Sequence, residues 1–240
     1  MEKSGLYLNG KVMHGRSASA GNARERAFLI IRDKIIYMDL KPGEALSDKV
    51  LAEQLEMSRT PVREALILLS AYNMVVLKPQ SGTFVAPIDS AMLEIEQFSR
   101  LTMEKEIIKQ ACALRSEELK EAYESNIAEF DCIHGGDEAG RIRRLHDLDN
   151  RFHRLAFAAT GKRRSFLHMH SYMQHIERLR VLTLMMDEDK NINQDHRNIA
   201  CAVVAGDEKS AIAHLEDHLS VYLDSLKIAK NRYPEYFVLG

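Results

Sequence analysis

A mainly α-helical protein in two parts is expected from the sequence: an N-terminal winged helix-turn-helix with a small β-hairpin, and a C-terminal antiparallel six-helix bundle. Three observations carry this expectation. Apolar residues recur at helical spacing in three stretches between residues 22 and 72, and only a few residues separate the last two. Two short β-rich runs, VVLKP (75–79) and GTFVA (82–86), then face each other across a turn holding Gly82. From residue 89 onward the helical period returns six times, with no β segment and no internal repeat.

Residues 1–21 mix Gly, Ser, Asn and Ala without a sustained period and read as a flexible N-terminal arm. A first helix is expected over 22–37, with Asn22 as N-cap and Ala27, Phe28, Ile31, Ile35 and Ile36 on its inner face. Pro42 and Gly43 make a turn. A second helix runs from Asp48 to about Glu56, capped by Ser47, with Val50, Leu51 and Leu55 facing inward. The third, at about 59–72, opens on Ser58 as cap with Pro61 in its first turn, where a missing N–H costs nothing. Leu66, Ile67 and Leu69 are expected to hold it in a small core. Asn73 suits the left-handed backbone needed at its end. The winged helix thus spans 22–88.

The second part spans 89–232, with a tail at 233–240. Its helices are expected at about 90–114, 116–133, 137–160, 163–186, 191–205 and 207–231. Asp89 or Ser90, then Ser116, Asp137 and Asp207, stand at N-cap positions. About 150 residues in six helices are enough to bury a core of their own.

Composition narrows the class. Apolar residues make up 45% and charged residues 28%, the balance of a globular domain. No apolar run approaches the roughly 18–20 residues that cross a bilayer, and no signal pattern opens the chain, so a cytoplasmic protein without a membrane partner is expected. Cys112, Cys132 and Cys201 are scattered and form no CxxC pair, which excludes a thiolate zinc motif. The net charge is −2, but residues 1–88 carry 12 Lys+Arg against 9 Asp+Glu while the rest carries 21 against 26. That asymmetry permits a nucleic-acid contact in the first third.

The stretch SRTPVREALILLS (58–70) gives that contact a geometry. Arg59 and Arg63 are four apart and share one face at the start of the third helix. In a helix-turn-helix, those N-terminal residues reach base edges in the major groove. Arginine there can donate two hydrogen bonds to guanine, while Ser58 and Thr60 can reach phosphate or a thymine methyl. LAEQLEMSRTPVREAL (51–66) followed by VVLKPQSGTFVAP (75–87) resembles the winged helix of the GntR superfamily of bacterial transcription regulators. The resemblance implies that Lys49, Ser58, Arg59, Thr60 and Arg63 contact a palindromic double-stranded operator. It places Gly82 at the wing tip, near the minor groove. Asn73 stands where the family usually has glycine.

In the helical part, Asp149 and His153 lie four apart on one helix, His196 early in the next-to-last helix and His218 midway along the last. One carboxylate and three imidazoles from three helices can converge on a divalent ion, walled by Phe152, Leu155 and Phe157. By spacing alone, His146 and His175 compete for the same role. SRLTMEKEI (99–107), DNRFHRLAF (149–157) and DHRNIACAVVAGDEKSAIAHLEDHL (195–219) resemble the FCD ligand-binding domain of the FadR branch of GntR regulators. That resemblance implies a metal held by Asp149, His153, His196 and His218, and makes a metal-free acyl-CoA-binding variant less fitting. It also points Arg100 into the cavity, where a small organic acid can pair with it. The competing placement of Arg100 is a surface pair with Glu104. Imidazole suits Zn, Ni or Fe, and the carboxylate keeps Mn among the candidates.

The expected function is a homodimeric, metabolite-responsive transcription regulator. Two alternatives stand beside it: a metal-dependent enzyme acting on a small carboxylate, and a regulator whose helical domain only dimerises. Against the enzyme stand the absence of an HExxH motif and of a carboxylate placed as a base.

Overall fold

The computed structural model describes residues 5–8, 11–14, 23–133, 135, 137–186 and 192–238. At the N-terminus, β1 (Gly5–Leu8) and β2 (Lys11–His14) pair antiparallel, from Gly5 opposite His14 to Leu8 opposite Lys11. A hairpin therefore stands where a flexible arm was expected. The missed signal is local: an Asn-Gly dipeptide, Asn9-Gly10, joins two short runs bearing apolar residues, which favours a two-residue hairpin whatever the surrounding composition.

The winged helix follows the expected order. Helix α1 (Ala23–Ile36) buries all five apolar residues assigned to its inner face. The expected cap, Asn22, lies outside the described residues. After a turn through Gly43 (φ 82°), the short strand β3 (Ala45–Leu46) leads into α2 (Asp48–Gln54). Ser47 caps α2, its Oγ accepting from the Val50 N–H at 3.4 Å. Helix α3 (Arg59–Ala71) buries Val62, Ala65, Leu66 and Leu69. That is an i, i+3, i+4, i+7 stripe. Ile67 falls off the stripe and is 53% exposed, and Val50 on α2 is 49% exposed, so neither is a core residue. Asn73 takes the left-handed conformation at φ 55°.

Strands β4 (Val75–Lys78) and β5 (Gly82–Val85) form the wing, with Lys78 opposite Gly82. Strand β3 adds to β5 through Ala45–Phe84 and Leu46–Thr83, giving the order β3-β5-β4. Two residues are too few to show strand alternation, so this third strand left no trace in the sequence pattern.

Eight α-helices follow among the described residues, not six: α4 (Ser90–Leu114), α5 (Glu117–Asp131), α6 (Glu138–Ala159), α7 (Arg163–Ser171), α8 (Gln174–Met185), α9 (Ile192–Ala205), α10 (Glu208–Ser220) and α11 (Tyr222–Arg232). Asp89, rather than Ser90, caps α4, and Ser116, Asp137 and Asp207 cap α5, α6 and α10, all through side-chain oxygens. The helix expected at 163–186 is split because a distant side chain supplies a new N-terminus. The backbone N–H groups of His175 and Ile176 donate to the buried Glu96 carboxylate of α4 at 2.8–3.2 Å. The helix expected at 207–231 is interrupted only at Val221, whose backbone stays near helical (φ −55°, ψ −23°).

The linker between the two parts is held from both sides. Arg178 on α8, wholly buried, donates from Nη1 to the Ala86 carbonyl at 2.6 Å and from Nη2 to Pro87 at 3.4 Å. The Asp89 N–H donates to His175 Nδ1 at 3.0 Å. The expected tail is also ordered through Val238: Ile88 bonds Tyr236 and Val238 at 2.8 and 3.0 Å, and Phe237 is buried.

The His175 contact carries a pH dependence. Burial, then the neighbouring Arg178 charge, lowers the His175 imidazole from 6.5 to about 4. Between those values the unfolded chain takes up a proton that the folded chain refuses. Stability therefore falls as pH falls through that window, by on the order of 3 kcal/mol from this group. Urea unfolding at pH 7.5 and 4.5 is expected to show the loss, and His175→Gln to lessen it. An equal loss in the variant would remove His175 from this role.

Candidate metal centre and DNA-binding face

Helix α6 places Asp149 and His153 one turn apart on its buried side, α9 contributes His196, and α10 contributes His218. One ligand atom from each lies within 4.8 Å of all the others. Asp149 Oδ1 is 3.1 Å from His196 Nε2 and 3.6 Å from His153 Nε2. The Nε2 atoms of His153 and His218 are 3.3 Å apart. The four residues assigned from the sequence come together, while His146 and His175 contact other partners.

Two further carboxylates fix what these rings can do. Glu104 Oε2 lies 2.6 Å from His153 Nδ1, and Asp195 Oδ2 lies 3.3 Å from His218 Nδ1. A carboxylate only accepts, so each Nδ1 carries the proton and each Nε2 keeps its lone pair. Two lone pairs then point at each other across 3.3 Å, beside the Asp149 carboxylate. Such an arrangement is repulsive by itself and becomes favourable around a cation. His196 adds a third imidazole, both of whose nitrogens lack a hydrogen bond among the described residues. Phe152 stacks flat on that ring at 3.9 Å and fixes its plane.

Burial is the first cause that pushes all three imidazoles toward the neutral form, His196 well below its ordinary range and His218 to about 4. Neutral imidazole is the form that ligates. Burial alone would raise Glu104, but the His153 ring and the Arg100 guanidinium overcome it and hold the carboxyl below its usual range. The donor set and its carboxylate–histidine supports fit a divalent ion.

Arg100 makes the pair expected with Glu104, Nε to Oε1 at 2.7 Å, but the pair is buried rather than on the surface. The same arginine lines a cavity of about 60 Å³ that also meets Asp149, Arg180, Asp195 and His218, with Ile176 among its apolar walls. Arg180 on α8 pairs with Asp149 Oδ2 and leaves Oδ1 to the imidazoles. Sequence reasoning missed Arg180, and it missed Glu104 and Asp195 as supports. Asp195 adjoins His196 in the chain, but nothing local marks Arg180.

In the winged helix, Lys49, Ser58, Arg59, Thr60, Arg63 and Gly82 are all exposed. Arg59 reaches back to α2, where Nη2 bonds the two Asp48 oxygens at 2.9 and 3.1 Å. Ser58 occupies the N-cap of α3, but its side chain makes no cap bond. Gly82 has φ 113°, a conformation that side chains strain, and it sits where β5 leaves the wing turn.

A winged helix joined to a helical sensor domain defines a transcription regulator. Residues 23–85 match the profile of the bacterial regulatory proteins of the gntR family, and residues 94–221 match the FCD domain. A regulator described as uncharacterized, from an unstable DNA locus of Streptomyces ambofaciens, is 29% identical over 89% of each chain. The HTH-type transcriptional regulator LutR of Bacillus subtilis is 29% identical over 78% of this chain and 96% of its own. The solved structure of McbR/YncC from E. coli superposes with a TM-score of 0.71 at 18% identity, over 89% of this chain and 100% of that one. The chain belongs to the GntR family of bacterial regulatory proteins, and carries an FCD domain. It is a regulator rather than an enzyme, and its family implies DNA binding by the winged helix and effector sensing by the helical domain. No described helix is long and apolar enough to cross a membrane.

Proposed function

We propose that the FCD domain is a metal-dependent sensor of a small organic acid, of the kind resembling the FadR branch, acting in the cytoplasm. Asp149, His153, His196 and His218 hold one divalent ion, and Zn, Ni, Fe and Mn all suit that donor set. The observation that carries this reading is the pair of facing Nε2 lone pairs, with the protons of both rings held outward by Glu104 and Asp195. Four protein ligands on a six-coordinate ion leave two positions open. The cavity beside them has room for a few heavy atoms and not for an acyl chain. Arg100 and Arg180 at its wall suit a carboxylate.

Occupation of this site sets how a homodimer presents its two α3 helices to a palindromic operator, through Lys49, Ser58, Arg59, Thr60, Arg63 and the wing at Gly82. Two-fold symmetry in the protein requires it in the site. A repressor is favoured by likeness to RspR of Escherichia coli, which is named a transcriptional repressor and is 22% identical over 89% of this chain.

A thermal-shift screen of small organic acids, with and without metal, tests the reading, since any ligand of the folded state raises its melting point. Acids are expected to stabilise only the metal-loaded protein. Arg100→Lys keeps the cation beside buried Glu104 but loses the guanidinium fork, so the best acid is expected to bind about tenfold more weakly. Equal shifts with and without metal, or an unchanged affinity in the variant, would remove the acid from the metal site.

A further inference from the structure

A line of polar contacts, buried along most of its length, runs from the metal ligand Asp149 to the DNA-binding domain, and beyond Asp149 and Arg180 the sensing chemistry above does not use it. Arg180 pairs with Asp149 Oδ2, and its Nη1 donates to Glu177 Oε1 at 2.6 Å. Glu177 Oε2 lies 2.9 Å from His146 Nε2. His146 Nδ1 lies 3.1 Å from the Tyr37 hydroxyl. Tyr37 follows directly on α1, the helix that packs along the recognition helix α3.

Glu177 Oε2 faces His146 Nε2 at ion-pair distance, and the Tyr37 hydroxyl reaches both His146 Nδ1 at 3.1 Å and Asp147 Oδ1 at 3.3 Å. Glu177 is 1% exposed, and Arg180, His146, His170 and Asn150 surround its carboxylate. A buried carboxylate cannot lose a cationic partner without drawing more on those that remain. Arg180 has two anionic partners, Asp149 and Glu177, and it lines the effector cavity. A metal on Asp149 Oδ1 withdraws charge from one partner, and an acid in the cavity competes for the guanidinium itself. Either event changes what Glu177 asks of His146, and so the hold on Tyr37.

The geometry points to Arg180, Glu177, His146 and Tyr37 as positioning residues through which the state of the metal site reaches the DNA-binding domain. This rests on the metal-sensor reading. It enters the winged helix at the end of α1.

Zinc ion alone serves as the probe, and amide hydrogen exchange over residues 30–38 of the full chain as the readout. Zinc is expected to change exchange there in the wild type. Tyr37→Phe and Glu177→Gln are each expected to bind zinc at wild-type stoichiometry and to show a change smaller by about threefold or more. Tyr172→Ala is the control. It breaks an exposed ring contact between the same two parts, Tyr72 to Tyr172 with centroids 5.8 Å apart, away from this line, and is expected to keep the full change. Tyr37→Phe removes one hydroxyl only, so the test stands even if Glu177→Gln does not fold. A full change in Tyr37→Phe, an equal loss in Tyr172→Ala, or zinc binding to the wild type without any change over 30–38 overturns the coupling and leaves the metal site standing. Failure of the wild type to bind zinc overturns the metal reading itself.

Discussion

Alanine at His153, His196 or His218 is expected to abolish the binding of about one divalent ion per chain. Each substitution removes one of four donors from a buried site. Losing an outer-sphere partner of a ligating histidine typically costs 10–100-fold in metal affinity, and losing the ligand itself costs more. Glu104→Gln and Asp195→Asn are expected at that 10–100-fold level, because they release the Nδ1 protons that aim Nε2 inward. Alanine at His168 or His170 should leave metal content unchanged, since neither belongs to the cluster. Calorimetric titration of chelator-treated protein separates the three classes. Full affinity in any one of the three ligand variants would remove that residue from the site.

Arg63→Ala is expected to weaken the specific operator by about 1–3 kcal/mol and to blur base preference at one position of each half-site. Arg59→Ala should cost less. Arg59 is already bonded to Asp48 across the α2–α3 turn, so contact with a base first requires that bond to exchange. Lys49→Ala should weaken all sequences evenly and lower the slope of log affinity against log salt by about one, the signature of a phosphate contact. Binding of a selected duplex and a scrambled one at several salt concentrations decides among these. An unchanged operator preference in Arg63→Ala would move base reading off the start of α3.

The winged helix was legible because its signals are local. Ser47 and Asn73 each act within a few residues: Ser47 caps α2 and Asn73 takes the left-handed backbone, both as expected. Val50 and Ile67 were misplaced by residue type, when angular position on the helix decides burial. In the helical domain, the i,i+4 pair Asp149–His153 could be read from spacing, and its convergence with His196 and His218 followed from resemblance. The division of 163–186 could not be read, because the group that caps α8 is Glu96, some 80 positions away. Arg180 and Glu177 were silent for the same reason. Their partners, Asp149 and His146, lie on another helix, and no pattern within α8 distinguishes them from solvated charges.

Elemental analysis of full-length protein, purified without chelator, bears on the whole reading at once. About one divalent ion per chain is expected in the wild type, lost on dialysis against chelator and absent from His218→Ala. Wild-type protein free of stoichiometric metal, or His218→Ala carrying the ion at full occupancy, would refute a metal-dependent sensor built on Asp149, His153, His196 and His218.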